Sequence, residues 1–470
     1  MNRILRLALA LTLGFGFVAS TLPAQADKID DFVRASMRQQ KIPGLALAVM
    51  RDGKIIKAQG YGLANIELNV PVSPETIFQS GSMGKQFTAT GVMMLVEEGK
   101  VNLDDKITKY FEGAPPTWNM ITVGHLLTHT SGIKDYTGKD FEYRKDYTEE
   151  ELLKKVGTFP PDFAPGDKWS YSNSGYMLLG ILIHKVTGKF YGDFLQERIF
   201  RPLGMKTTRV ISEADIIPNR AAGYRLVKGE WKNQEWVSPS LNTTADGALY
   251  FTVLDLAKWD AALYSEKLLK RASFDQMWTP VKLNNGKTHP YGFGWFLSDI
   301  RGHRIVEHGG AWQGFTTGIS RYVDDKLTVV ALTNLDSEHA RPPEIIHGVA
   351  GLYEQELAPL PLPKPMADKE QEVTALFRDL LEKIGAGKAE AAAFTEEARK
   401  QWFPDRVKEL QEALEDRGPM KSVDLLERNE KEGVRTYRYR LIFDTGRVVP
   451  YTLTLTKENK IAGLKEDSDE

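Results

Sequence analysis

Six consecutive residues, Gly44-Leu45-Ala46-Leu47-Ala48-Val49, carry no polar side chain. So short an unbroken apolar run reads as a strand buried on both faces. Arg51-Asp52-Gly53-Lys54 supplies an Asp-Gly turn, and residues 55–59 return as a second strand. A short helix over residues 29–40 precedes this hairpin. From Ser82 the period changes: Phe87, Val92, Met93, Leu95 and Val96 recur at helical spacing, and Gly99 closes the run. Helical and loop segments then alternate to about Tyr264, broken by Phe159-Pro160-Pro161 and Ala164-Pro165-Gly166. Strand character returns at residues 304–308, 314–323 and 327–334, with Asp324-Asp325 as a tight turn between the last two. Strands at both ends with helices between them predict an α+β fold: one antiparallel sheet built from the two ends, flanked by helices and carrying a helical insertion.

A Pro-rich stretch follows, Ala358-Pro359-Leu360-Pro361-Leu362-Pro363-Lys364-Pro365, which favours an extended spacer. Beyond it, Val373, Leu376, Phe377, Leu380, Leu381 and Ile384 mark an amphipathic helix, and helical patterns continue to about Asp416. Tyr437, Tyr439, Leu441 and Phe443 then alternate with Arg438 and Arg440, and Asp444-Thr445-Gly446 turns the chain into residues 447–456. Such a Tyr/Arg stripe reads as one buried and one wet sheet face, or as a peptide- or glycan-binding face. The expected organisation is a leader at 1–26, a main domain at 27–357, a linker at 358–368 and a small α+β accessory domain at 369–470.

Length and charge narrow the classes. The chain has 470 residues with 42% hydrophobic content, enough for a large core and a second unit. A net charge of -2 gives no electrostatic reason to expect nucleic acid as a partner. Arg3 and Arg6 precede an apolar run at residues 7–18, and Ala24-Gln25-Ala26 follows it. That is the pattern of a secretory signal, which predicts a periplasmic or secreted protein with no membrane span after cleavage. There is no cysteine, hence no disulfide, Cys nucleophile or Cys metal site.

Three motifs could carry chemistry. Ser82-Met83-Gly84-Lys85 opens the first long helix, placing Ser and Lys on one face near a helix N-terminus with free backbone N–H groups. Alone, the motif is common by chance and reads first as an N-cap serine and a solvated lysine. Tyr171-Ser172-Asn173 and His308-Gly309-Gly310 follow in that order. Together with His125-Leu126-Leu127-Thr128-His129-Thr130-Ser131-Gly132, Pro165-Gly166 and Pro202-Leu203-Gly204-Met205, the set resembles the serine β-lactamase and penicillin-binding-protein superfamily over residues 29–355. The nearest branch is the class C β-lactamase-like one, which includes D-peptidases and carboxylesterases.

The resemblance implies a metal-free, cofactor-free serine hydrolase acting on a small-molecule or peptide acyl substrate. It makes Ser82 the nucleophile, with Lys85 and Tyr171 as its proton-handling partners. Either could be the acylation base; a tyrosine needs a pKa well below ~10 for this, which nearby cations would provide. Asn173 would bond the substrate amide and Lys85. The N–H groups of Ser82 and Ala311 would form the oxyanion hole. The departure lies in the third motif, where Lys-Thr-Gly or Lys-Ser-Gly is usual. His308 is mostly neutral at pH 7 unless shifted, and Gly309 lacks the hydroxyl. That lowers the demand for a substrate carboxylate and favours esters, amides or D-amino-acid peptides over β-lactams and D-Ala-D-Ala termini. A satisfied strand histidine is the plainer reading of His308. The rivals are a true β-lactamase or carboxypeptidase, and a covalent sensor or cell-wall binding protein without turnover.

His125 and His129 have the spacing of zinc ligands, but Leu126 stands where the catalytic Glu would be, so both read as structural. Tyr291, Phe293, Trp295, Phe296 and Trp312 are either sheet packing or the lining of an apolar cleft.

Overall fold

The computed structural model describes residues 28–467 apart from 139–140, 337–338, 360 and 445–446. The expected leader at 1–26 and the Thr445-Gly446 part of the last turn lie outside the described residues.

Helix α1 (Lys28–Gln40) leads into strands β1 (Gly44–Arg51), β2 (Lys54–Asn65) and β3 (Val70–Pro71). Strands β4 (Phe296–Ile300), β5 (His303–Trp312), β6 (Phe315–Tyr322) and β7 (Leu327–Thr333) come from the other end of the main domain. All seven form one antiparallel sheet in the order β4-β5-β6-β7-β1-β2-β3. β1 pairs with β7, Leu47 opposite Ala331, so the two ends of this domain meet in mid-sheet. Two hairpins fix the register. Asp52 (φ 50°) with Gly53 (φ 68°), and Gln313 (φ 49°) with Gly314 (φ 79°), both hold the double left-handed conformation that matches strand twist.

β1 is apolar throughout because it feeds two cores. Alternate side chains of a strand point to opposite faces. Ala46, Ala48 and Met50 join the helical core on one face, with Phe87, Val92 and Leu332. Leu45, Leu47 and Val49 join the other, under α1 and helix α2 (Pro342–Tyr353), with Val33, Ile345 and Val349. The helical insertion lies on the first face, and the candidate site lies where that insertion meets the sheet.

The accessory domain keeps a core of its own. Helix α3 (Gln371–Gly385) packs Phe377 and Leu381 on a four-stranded sheet, β8 (Met420–Lys431), β9 (Val434–Phe443), β10 (Val448–Leu455) and β11 (Ile461–Glu466). Tyr437, Tyr439, Leu441 and Phe443 are its buried face. Arg438 and Arg440 on the other face pair with Glu427 and Asp424. Met420–Lys431 is a strand where helical patterning was expected to fade, and it is the sheet edge on that side. Among the described residues no helix is long and apolar enough to cross a membrane.

Candidate active site

Ser82 lies in a single 3-10 turn, Gly81–Gly84, and the α-helix proper, α4, runs from Lys85 to Glu97. The helix therefore starts three residues later than the motif suggested. Ser80 pins the turn. Its hydroxyl donates to the Gly247 carbonyl at 2.7 Å and accepts the Leu249 N–H at 3.1 Å, while its own carbonyl accepts the Thr317 hydroxyl at 2.7 Å. Gly81 sits at φ 51°, and a Cβ there would meet the Ala311 nitrogen at 2.3 Å, so only glycine fits. The third-motif strand β5 thus runs in backbone contact with the serine turn.

Lys85 is fully buried. Its Nζ donates to Ser82 Oγ at 3.0 Å, Asn173 Oδ1 at 2.7 Å and the Asp246 carbonyl at 2.6 Å. Three donors meet three acceptors, so the ammonium is satisfied without water. Burial pushes Lys85 down to about 8, against the holding effect of Asp246 and Asp135.

Asn173 opens helix α5 (Asn173–Thr187), capped by the Ser172 hydroxyl at one end and by Gly188 at φ 68° at the other. The preceding residue, Tyr171, lays its ring against the Lys85 ammonium, 4.9 Å from ring centroid to Nζ. Its hydroxyl is buried and forms no hydrogen bond of good geometry among the described residues. Burial pushes the phenol well above its usual range; nearby Ser82 opposes this, and Tyr176, Asp246 and Asp135 add to it. The expectation of a lowered phenol is therefore reversed: the ammonium faces the ring, and burial dominates.

His308 is buried in an aromatic wall with Tyr171, Tyr291 and Phe296. A hydrogen-bond chain fixes its tautomer. The Ser172 N–H donates to His129 Nδ1 at 3.1 Å, so a neutral His129 carries its proton on Nε2. That nitrogen lies 3.1 Å from the Tyr291 hydroxyl, which in turn lies 3.1 Å from His308 Nε2. His308 Nδ1 then donates to the Gly309 carbonyl at 2.6 Å. Burial lowers His308 to about 3; the Gly309 bond opposes this and the Lys85 charge adds to it. His129 is lowered for the same main reason. Both imidazoles are neutral at pH 7, and both His308 nitrogens are already engaged within the protein. Its expected contact with substrate is not prepared in this arrangement.

The zinc-like pair is dispersed. The helix at Val123–Leu127 ends before His129, which takes φ 59°, while His125 accepts the Thr122 N–H in a capping box. No group of His, Asp and Glu able to hold a metal occurs among the described residues. Of the aromatics singled out earlier, Tyr291, Phe293 and Trp295 are buried packing. Trp312, next to Ala311, lines a groove of about 740 Å³ with Tyr143, Arg144 and Trp236.

The structure brings Ser82, Lys85, Tyr171 and Asn173 together and runs His308, Gly309, Gly310 and Ala311 past them. It adds residues that motif reading missed. Asp135 accepts the Asn173 N–H at 2.9 Å and Asn173 Nδ2 at 3.0 Å, leaving that amide directed at a carboxylate rather than at open space. Asp246 reaches the site from a distant segment and had no local signature; Ser80, two residues before Ser82, had none either, while Tyr291, one of the aromatics named from the sequence, links His129 to His308. Asp135-Tyr136-Thr137 had one, the spacing of an Asx turn directly after Thr130-Ser131-Gly132.

Comparison with known proteins agrees with this geometry. The family model described as Beta-lactamase matches residues 29–354. Penicillin-binding protein 4* of Bacillus subtilis is 31% identical over 354 residues, covering 71% of this chain and 77% of that protein. A D-aminopeptidase of Gluconobacter oxydans is 26% identical over 73% of this chain, which spans 63% of that protein's length. Among solved structures, the octameric penicillin-binding protein homologue from Pyrococcus abyssi superposes with a TM-score of 0.63 at 25% identity, over 91% of this chain and 96% of that one. D-amino acid amidase from Ochrobactrum anthropi gives 0.58 at 27% identity, over 66% and 91%. Motif order, sheet topology and these matches coincide, and the chain belongs to the β-lactamase family of serine hydrolases.

Proposed function

We propose that this protein hydrolyses amide and ester bonds, D-amino-acid amides and peptides among them, through an acyl-enzyme on Ser82. One observation carries the reading: of the three partners of Lys85 Nζ, only Ser82 can reverse its hydrogen bond. Asn173 Oδ1 and the Asp246 carbonyl are acceptors in every state. When Lys85 loses a proton, its lone pair has one place to go, and the Ser82 hydroxyl must donate to it. Deprotonation therefore creates the general-base arrangement by itself. A lysine near 8 suits that task better than a phenol pushed above its usual range, which makes Lys85 the base for acylation.

Ser82 Oγ attacks the carbonyl carbon as its proton moves to Lys85. The Ser82 and Ala311 N–H groups hold the oxyanion. The carbon–nitrogen or carbon–oxygen bond then breaks. The leaving group takes a proton from Lys85 by way of the neutral Tyr171 hydroxyl, and water repeats the sequence to free Ser82.

The substrate class rests on the third motif and on the relatives named above as a D-aminopeptidase and a D-amino acid amidase. A buried, neutral His308 beside Gly309 offers no cation or hydroxyl to a substrate carboxylate. Export by cleavage after Ala26 is part of the proposal and rests on the leader pattern alone. A panel of D-phenylalanine amide, D-alanine p-nitroanilide, p-nitrophenyl butyrate and a chromogenic cephalosporin tests the reading. Turnover of the first three above the cephalosporin is expected; faster turnover of the cephalosporin would make this a β-lactamase.

A further inference from the structure

Asp135 stands behind the site and has no partner in the mechanism above. Its carboxylate accepts four hydrogen bonds. Oδ1 takes the Thr137 N–H and the Thr137 hydroxyl, both at 2.8 Å. Oδ2 takes the Asn173 N–H at 2.9 Å and Asn173 Nδ2 at 3.0 Å. Four bonds fill the lone pairs of a carboxylate, so Asp135 has no capacity left for a substrate amine.

The geometry on Asn173 follows. An Asn side chain can present either its oxygen or its nitrogen to a neighbour. With Nδ2 held by Asp135, and 3.4 Å from Thr137 Oγ1, only Oδ1 can face Lys85. A flipped amide would aim N–H groups at an ammonium and take away one of its two permanent acceptors. The lysine would then turn from Ser82. Resting on the acyl-enzyme reading above, we infer that Asp135 is a positioning residue: it fixes the Asn173 amide, and through it aims Lys85 at Ser82. Its charge has a second effect. Lys85 is faced by Asp246 and Asp135, by the phenols of Tyr171 and Tyr176, and by the imidazoles of His129 and His308. The two carboxylates alone favour its ammonium form, so loss of Asp135 makes Lys85 easier to deprotonate.

Two variants separate the effects. An Asn at 135 can still turn its oxygen toward Asn173 and keep both of those bonds, without the charge; an Ala keeps neither. In Asp135→Ala, kcat is expected to fall on the order of 100-fold with KM changed less than about threefold, because the substrate is not touched. Asp135→Asn should recover at least about tenfold of that loss. Its acid limb in kcat/KM should move to lower pH by roughly half a unit or more. The inference is overturned if Asp135→Ala keeps kcat within threefold. It is equally overturned if Asp135→Asn leaves the limb in place, and that arm decides alone should the Ala variant not fold. Ser82→Ala in the same assay keeps the two readings apart: activity surviving there sinks the acyl-enzyme mechanism and with it this role, whereas an inactive Ser82→Ala beside unaffected Asp135 variants sinks the role of Asp135 alone.

Discussion

A methyl group on Gly310 would stand 2.8 Å from the amide nitrogen of Ser82 and 2.1 Å from the Ser80 carbonyl oxygen. The serine turn and the third-motif strand therefore touch backbone to backbone, and the glycine is the reason. Gly309 differs: a Cβ there meets only the Thr317 carbonyl, at an ordinary 3.4 Å. Gly310→Ala should push the turn off the strand, lowering kcat by about 10²–10³ through loss of the Ser82 N–H alignment. It should also cost about 1–3 kcal/mol of stability, seen in denaturant titration. Gly309→Ala should leave both within about twofold. Because a Cβ is tolerated at this position, Gly309→Thr is the variant that restores the hydroxyl usual in the family, and turnover of carboxylate-bearing substrates should rise relative to neutral ones.

Activity should follow the Lys85 proton. The amine is the competent form, and burial sets its pKa to about 8. kcat/KM is therefore expected to rise with pH through about 8 and to fall tenfold per unit well below it. His308, at about 3, contributes no limb between pH 5 and 9. A pH profile with its acid limb near 6.5 and none near 8 would place the essential proton on an ordinary histidine instead.

The chain from His129 through Tyr291 to His308 makes a stability claim. Tyr291→Phe leaves the His129 Nε2–H and His308 Nε2 without partners, a loss of about 1–3 kcal/mol that should lower Tm by a few degrees. pH acts on the same residues. His308 binds a proton near 6.5 when unfolded but only near 3 when folded. In that window the unfolded state holds more protons, so stability is full above about 6.5 and falls as pH drops, by about 1.4 kcal/mol per unit. His308→Gln removes this term, and its denaturation midpoint should vary less between pH 6.5 and 4 than that of the parent.

The parts legible in the sequence were those with a local signature. The β1 run, the Asp52-Gly53 turn, the helix at Lys85 and the order of the three motifs each follow from spacing a few residues long. Met420–Lys431, an edge strand of the accessory sheet, and Phe296–Ile300, an edge strand of the main sheet, were missed because an edge strand lacks the alternation that burial imposes. Asp246 was missed because its value lies in a contact across 161 residues of chain, which no motif encodes, and Asp135 because an Asx-turn spacing does not disclose its bond to Asn173, 38 residues away. The Tyr171 phenol was misjudged for a related reason: its protonation depends on burial, a property of the folded cleft rather than of the Tyr-x-Asn motif.

The central claim is a covalent bond to Ser82, and rapid-quench intact-mass measurement during turnover of p-nitrophenyl butyrate tests it. The expected result is a transient gain of one butyryl group on the Ser82 peptide, formed in a burst, absent in Ser82→Ala and slowed in Lys85→Ala. Full turnover by Ser82→Ala, or an acyl group found on another residue, would contradict the account, and an adduct that never leaves would make the protein a covalent sensor rather than a hydrolase.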